Sequence, residues 1–400
     1  MLATIRMVGG VLLCLAAAVA QGEPPTILPP PADASAPADR SPVKGNTQAT
    51  SKPRAPGATG RPSSEARAAL AAGDAKRALE LAESDTLRLS PAERFSIAGE
   101  AYFLLGDYPE ARRKLEAALR QRPNNASDLY WLGRVQAAAG LPALAAARYE
   151  EAAWNGLDTA DLHYRWALAL KAGNELLGKI TQYPPEKNAK EAPAPGTFTA
   201  RGLVVGPVPS RPGWIVVSPP SSAIYQVHRA IELDAGQGDA LLLCGEIWAA
   251  VNRHEQAAAA FARAAEHVDA KDLAKCRQEW AASLLVLGDL DGYLEQTKLR
   301  LSAAGNVDSA ELARSYDQAA REAARRGDLQ RQIRYLTQAV ELDEAGVDRL
   351  IGLADALMQV QRVEDAARYL RTALQHSPSR KQRKDIAERL QQATYLTSPR

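Results

Sequence analysis

The 400-residue chain is short of several things at once. It has three cysteines, three methionines and four phenylalanines, and its charges nearly cancel, 49 basic against 47 acidic, for a formal net charge of +2. Two cysteines are left if Cys14 is removed with a leader. No Cys-x-x-Cys pair occurs, which excludes a zinc knuckle or a dithiol redox motif. Cys244 and Cys276 both fall in expected helices and read as buried thiols. The charge balance argues against nucleic acid as an obligate partner, because phosphate binding requires a basic stripe. His254-Glu255 opens like a metalloprotease motif, but Ala258 stands where the second histidine is needed. The segment Gly202 to Gly213 has neither the spacing nor the lysine of a phosphate loop. No catalytic residue, cofactor, metal site or small-molecule substrate is expected.

Long apolar runs are also missing. The longest lies at the start, from Val8 to Ala20, just behind Arg6. It falls short of the roughly 20 residues needed to span a bilayer. With Ala18-Val19-Ala20 before Gln21 it reads as a signal peptide cleaved after Ala20. The alternatives are an uncleaved membrane anchor and lipidation at Cys14. The expected location is therefore periplasmic or extracellular, with membrane attachment as the alternative. Residues 21–60 follow as a linker. Ten of the 25 prolines lie between Pro24 and Pro62, too few large apolar groups accompany them, and ordering entropy is left uncompensated.

What is present is a repeat. Phe95, Gly99, Tyr102, Gly106, Ala111, Leu115, Ala118 and Pro123 are followed one period later by Leu129, Gly133, Gln136, Gly140, Ala145, Tyr149 and Ala152. Self-similarity at a period of about 34 residues means stacked helical hairpins, none of which buries its apolar face alone. The register continues from about residue 60 to the end: a weak first hairpin around Ala66 and Leu70, others from Ala92, Ala126, Leu162, Gly238, a degenerate sixth near Ala281, then Ala313 and Leu350. Gly173 marks the turn of the fourth hairpin, whose second helix resumes only at Ala223. The expected organisation is residues 61–178 for repeats one to four, 179–222 for an insertion, 223–379 for the rest, and 380–400 for a capping helix and tail. The charge run from Arg380 reads as the solvated face of that cap.

Gly99, Tyr102, Ala111, Leu115, Ala118 and Pro123 stand at the eighth, eleventh, twentieth, twenty-fourth, twenty-seventh and thirty-second positions of the second repeat. In this the chain resembles the tetratricopeptide repeat (TPR) family. The resemblance implies an all-α, right-handed α-solenoid of about eight helical hairpins. It also implies an interaction scaffold that binds a partner protein or peptide along a concave groove lined by the first helices. On the matching positions the groove candidates are Tyr130, Arg134, Tyr164 and Lys171, then Glu246, Arg321 and Arg325. Tyr130 and Tyr164 have the alternative of covering their own hairpins. In related proteins heat-shock chaperone tails are held by a basic and asparagine clamp. No asparagine stands at those positions here, so that specificity is not expected.

The insertion reads in two halves. Pro184, Pro185, Pro193 and Pro195 make the first unlikely to fold. Thr197–Val205 and Trp214–Val217 are β-prone and form a candidate hairpin through Gly206–Gly213. It either docks or binds through Phe198, Trp214 and Ile215, or is a tolerated loop. The functional expectation is an exported interaction scaffold; a membrane-tethered assembly factor of the envelope and an enzyme's accessory domain are the alternatives.

Overall fold

The computed structural model describes residues 62–84, 89–185, 192–303, 305, 308–376 and 378–397. The expected signal peptide, the 21–60 linker and Cys14 lie outside the described residues. Among those described, helices pair along the chain as hairpins. They are α1 Pro62–Ala71 with α2 Ala75–Glu83, α3 Pro91–Leu104 with α4 Tyr108–Gln121, α5 Ala126–Ala138 with α6 Pro142–Trp154, and α7 Ala160–Ala172 with α8 Ala223–Leu233. Then come α9 Gly238–Ala250 with α10 His254–His267, α11 Ala270–Leu287 with α12 Leu290–Ala303, α13 Ser309–Arg325 with α14 Leu329–Leu342, and α15 Val347–Gln359 with α16 Val363–Gln375. A single helix, α17 Arg380–Thr397, closes the array. The fold is an all-α, TPR-type α-solenoid of eight hairpins and a cap.

Local chemistry explains the boundaries. Ser90 and Glu93 form a reciprocal capping box at α3, and Asp74, Asp107, Asn125, Thr159, Ser222 and Asp328 each accept a backbone N–H at a helix start. Each hairpin turns on one residue with positive φ: Gly73, Gly106, Gly140, Asn174, Asn252, Gly288, Gly327 and Gln361. The fourth turn therefore falls on Asn174, not Gly173, and asparagine is among the side chains that tolerate this region. The seventh hairpin starts at Ser309 rather than Ala313, because Asp308 caps two backbone N–H groups there.

Within a hairpin, the small column brings the helices close. A Cβ on Gly99 would stand 2.6 Å from Leu115 Cγ, on Gly133 2.7 Å from Tyr149 Cε1 and on Gly245 2.5 Å from Phe261 Cε1. Ala66, Ala167, Ala320 and Ala354 hold the same place in other hairpins and are buried. Leu115, Tyr149 and Phe261 fill the opposing wall. One apolar core runs through hairpins three to five and the insertion to Cys276. A second runs through hairpins six to eight to Ile386 in the cap, and Trp280 packs against both.

The insertion differs from the expected hairpin. It is a four-stranded antiparallel sheet ordered β1-β4-β3-β2, from β1 Thr181–Tyr183, β2 Phe198–Thr199, β3 Gly202–Pro207 and β4 Ile215–Ser218. The proline-bearing first half thus supplies a strand, since Thr181 to Tyr183 precede the prolines and pair with β4. Alternation divides β3 between two apolar surroundings. Leu203 and Val205 enter the solenoid core, while Val204 joins Ile215, Val217 and Tyr183 on the other face. The ends of the insertion are tied by Ala223 N–H to Glu175 O and Ile224 N–H to Leu176 O, both 3.0 Å. His163 on α7 contacts Gln226 on α8 at 2.5 Å and Asp158 at 2.8 Å, and Asp158 also accepts from Arg229 at 2.6 Å. The fourth hairpin therefore closes across the intervening segment 173–222 as tightly as its neighbours.

Candidate functional site

The first helices are joined to one another by polar rungs. Ser96 donates to Asp128, which also accepts from Arg122 at 3.0 Å. Tyr130 donates to Asp161, whose carboxylate takes a second bond from Arg165 at 3.0 Å. Lys171 donates to Glu246, which also accepts from Lys275 at 2.5 Å. Arg349 clasps Asp317 at 2.7 and 2.8 Å, and Arg389 clasps Asp355 at 2.7 and 3.1 Å. One position of the first helix carries Arg67, Glu100, Arg134, Leu168, Glu246, Arg321 and Asp355 in successive hairpins, the sixth aside, and Arg389 in the cap; its charged members alternate in sign, with Leu168 neutral between Arg134 and Glu246.

An aromatic row spans the second and third hairpins, with Phe103, Trp131 and Tyr130 on first helices, Tyr108 at the start of α4 and Tyr149 buried on α6. Ring centroids lie 5.5 Å apart from Tyr108 to Phe103, 5.4 Å from Phe103 to Trp131, 5.5 Å from Trp131 to Tyr130 and 6.0 Å from Tyr130 to Tyr149. The Arg134 guanidinium lies 4.4 Å from the Trp131 centroid, 4.5 Å from Phe103 and 5.9 Å from Tyr130. Burial, and then the Asp161 carboxylate, push the Tyr130 hydroxyl up to about 12, so it stays a donor. Burial also raises the Glu100 carboxyl, against the pull of Arg67 and Arg134.

The candidates from the sequence distribute as follows. Tyr130 and Arg134 share the aromatic row. Tyr164 is half-buried against the core of hairpins three to five. Lys171 and Glu246 satisfy each other, so they rivet α7 to α9 instead of standing free. Arg321 is exposed with no ion-pair partner among the described residues, and Arg325 pairs with Glu322 of its own helix at 3.0 Å. Trp131, Arg165 and Lys275 were not singled out by the repeat; their signal is aromatic or basic character one place from, or one hairpin beyond, a groove position.

In the insertion, two of three contact candidates are turned inward. Ile215 is 7% exposed in the cluster with Val204 and Val217, and Phe198 stacks edge-on against Tyr225 at 5.0 Å. Trp214 is half-buried beneath Arg211, whose guanidinium lies 4.7 Å from its ring. The expected edge strand is β4, and it is paired on both sides, with β1 and with β3.

His228 and Cys244 meet at 3.5 Å, the nearest thing among the described residues to a nucleophile and base. Burial holds His228 down to about 4 and pushes Cys244 up to about 12, so both are uncharged at neutral pH. No described helix is long and apolar enough to cross a membrane, and no described group of three His, Cys, Asp or Glu could hold a metal.

The family model of the TPR repeat matches residues 99–140, the stretch that holds Phe103, Tyr130, Trp131 and Arg134. No curated protein matches the chain. Among solved structures, the chain is similar to the C-terminal part of a TPR repeat-containing protein from Cytophaga hutchinsonii (14% identity, 73% of this chain and 99% of that one, TM-score 0.44). It is similar also to a tetratricopeptide repeat protein from Parabacteroides merdae (15% identity, 76% and 99%, TM-score 0.39). A third is YrrB, described as a TPR protein with an unusual peptide-binding site (14% identity, 65% and 90%, TM-score 0.33).

Proposed function

We propose that the chain is an exported protein–protein interaction scaffold whose first-helix face receives a segment of a partner protein. The observation that carries this is the row from Tyr108 to Tyr130 with Arg134 laid upon it. Aromatic and arginine side chains are the commonest interface anchors, and here they are gathered on a rigid stack of helices. A row of rings and a guanidinium fixed in place lose little rotamer freedom on binding. Export is supported by Arg6, the apolar run Val8–Ala20 and the small residues Ala18 and Ala20.

A photo-crosslinking residue at exposed Ala137, on the first helix of the third hairpin, tests the face; Glu150 on the second helix is the control. In cells the partner adduct is expected at Ala137 and absent at Glu150. Adducts confined to Glu150 would move recognition to the second helices and overturn the reading. A mass spectrum of the mature protein beginning at Gln21 supports export as a soluble chain, and one retaining Met1 supports the membrane-tethered alternative.

A further inference from the structure

The charges of the first-helix face are nearly all spent on one another. Arg165 is held by Asp161, Lys171 and Lys275 by Glu246, Arg349 by Asp317, and Arg389 by Asp355. Arg134 and Arg321, at the same position of their helices, are not, and of these two only Arg134 lies against aromatic rings. Its guanidinium makes no hydrogen bond or ion pair with any described residue and lies over the rings of Trp131, Phe103 and Tyr130. Contact with a ring uses none of the N–H donors of a guanidinium, so those of Arg134 have no acceptor among the described residues. Those donors are arranged as a fork that matches a carboxylate. The rings hold the guanidinium in place before anything binds, and their low-dielectric surroundings strengthen whatever charge pairs with it. The neighbouring carboxyl, Glu100, stands at the equivalent place one hairpin earlier and is within electrostatic range of Arg134, yet does not close onto it.

We infer that Arg134 is the anchor for an acidic side chain within an extended segment of the partner, its carboxylate taken by the guanidinium fork and its apolar neighbours laid along Phe103 and Trp131. The carboxylate belongs to a side chain inside the segment for two reasons. Among the described residues a single unpaired cation stands at this point of the face. The face also continues on both sides of it, towards Glu100 in one direction and the exposed Leu168 in the other. A segment therefore passes through the site instead of ending at it. This inference rests on the first-helix face being the binding face.

The test uses the mature full-length protein and two displayed libraries of random peptides. In one the peptides are internal and carry carboxylates only on side chains; in the other they end in a free carboxylate. Binders from the internal library are expected to carry Asp or Glu next to an apolar or aromatic residue. Changing that acid to its amide is expected to weaken binding about tenfold or more, the worth of a charge-assisted hydrogen bond. Arg134→Gln is expected to have the same effect, while Arg134→Lys, which keeps the charge but loses the fork, falls between. Thermal melts of both variants control for folding, and loss of wild-type binding as salt is raised gives a readout free of substitution. Binders without an acid, binders that require the free C-terminus, or binders indifferent to Arg134→Gln overturn the inference while leaving the face itself in place. No binder in either library, together with no adduct at Ala137, overturns both.

Discussion

Lys171 donates to Glu246 across 75 positions of sequence, and the segment 180–221 lies in that interval without separating the two helices. Glu246 also accepts from Lys275, so one carboxylate fastens three successive first helices, α7, α9 and α11. Lys171→Met should cost little, because Lys275 still answers the carboxylate. Lys171→Glu puts a second carboxylate beside it and should cost about 1–3 kcal/mol, a range reduced for partial exposure. Urea unfolding of the two variants checks this; equal losses would mean the rivet contributes through packing alone.

Glycines of one repeat family should respond oppositely to alanine. Gly133→Ala forces a Cβ to within 2.7 Å of the Tyr149 ring and should destabilise by about 1–3 kcal/mol. At Gly352 the nearest foreign atom to a Cβ is Leu336 Cδ1 at 3.9 Å, ordinary contact. Gly352→Ala should therefore gain up to about 1 kcal/mol from helix propensity. Thermal midpoints moving in the same direction would refute the contrast.

His228 gives a pH dependence of defined sign. Phe198 and Trp248 enclose its ring, and burial, helped by Arg263, lowers it from 6.5 to about 4. Between those values only the unfolded chain takes up the proton, so stability falls as pH falls from about 6.5 to about 4, by at most about 1.4 kcal/mol per pH unit. Above 6.5 this residue contributes no slope. The stability of wild type relative to His228→Leu should decline through that window on acidification; parallel curves would show that the imidazole titrates freely in the fold.

The sheet is part of the core rather than an ornament on it. Leu203 is fully buried among α8 and α9 side chains. Leu203→Ala should cost about 2–5 kcal/mol, and removing residues 180–221 should lower the thermal midpoint more than Leu203→Ala does. Calorimetry of both decides it. An unchanged midpoint in the deletion would mean that the fourth hairpin closes without the sheet.

Much of the fold was legible because it is written in columns. Gly99, Ala111, Leu115 and Pro123 recur at fixed spacing, and each is a local demand of one hairpin. The strand at Thr181–Tyr183 was not legible. So short a run ahead of Pro184 and Pro185 carries no pattern, and its partner β4 lies at the far end of the insertion, with β2 and β3 in between. Lys171 and Glu246 were visible as residues but not as a pair, since the insertion hides their adjacency. The same holds for Trp131. The preceding and following repeats have Ile97 and Arg165 at its place, so only the stacking of hairpins reveals that it floors Arg134.

The alternation Arg321, Asp355, Arg389 makes the end of the array sensitive to the number of hairpins. Excising the eighth would bring Arg321 opposite Arg389; duplicating it would set Asp355 opposite its own copy. The eighth hairpin thus carries an address where Asp355 meets Arg389, and a change of length by one unit there is penalised where a change by two is not. This end of the array can lengthen by duplication of its last hairpins only in even steps unless the signs are rewritten, and a chain that skips the eighth during folding sets Arg321 where Arg389 should meet Asp355.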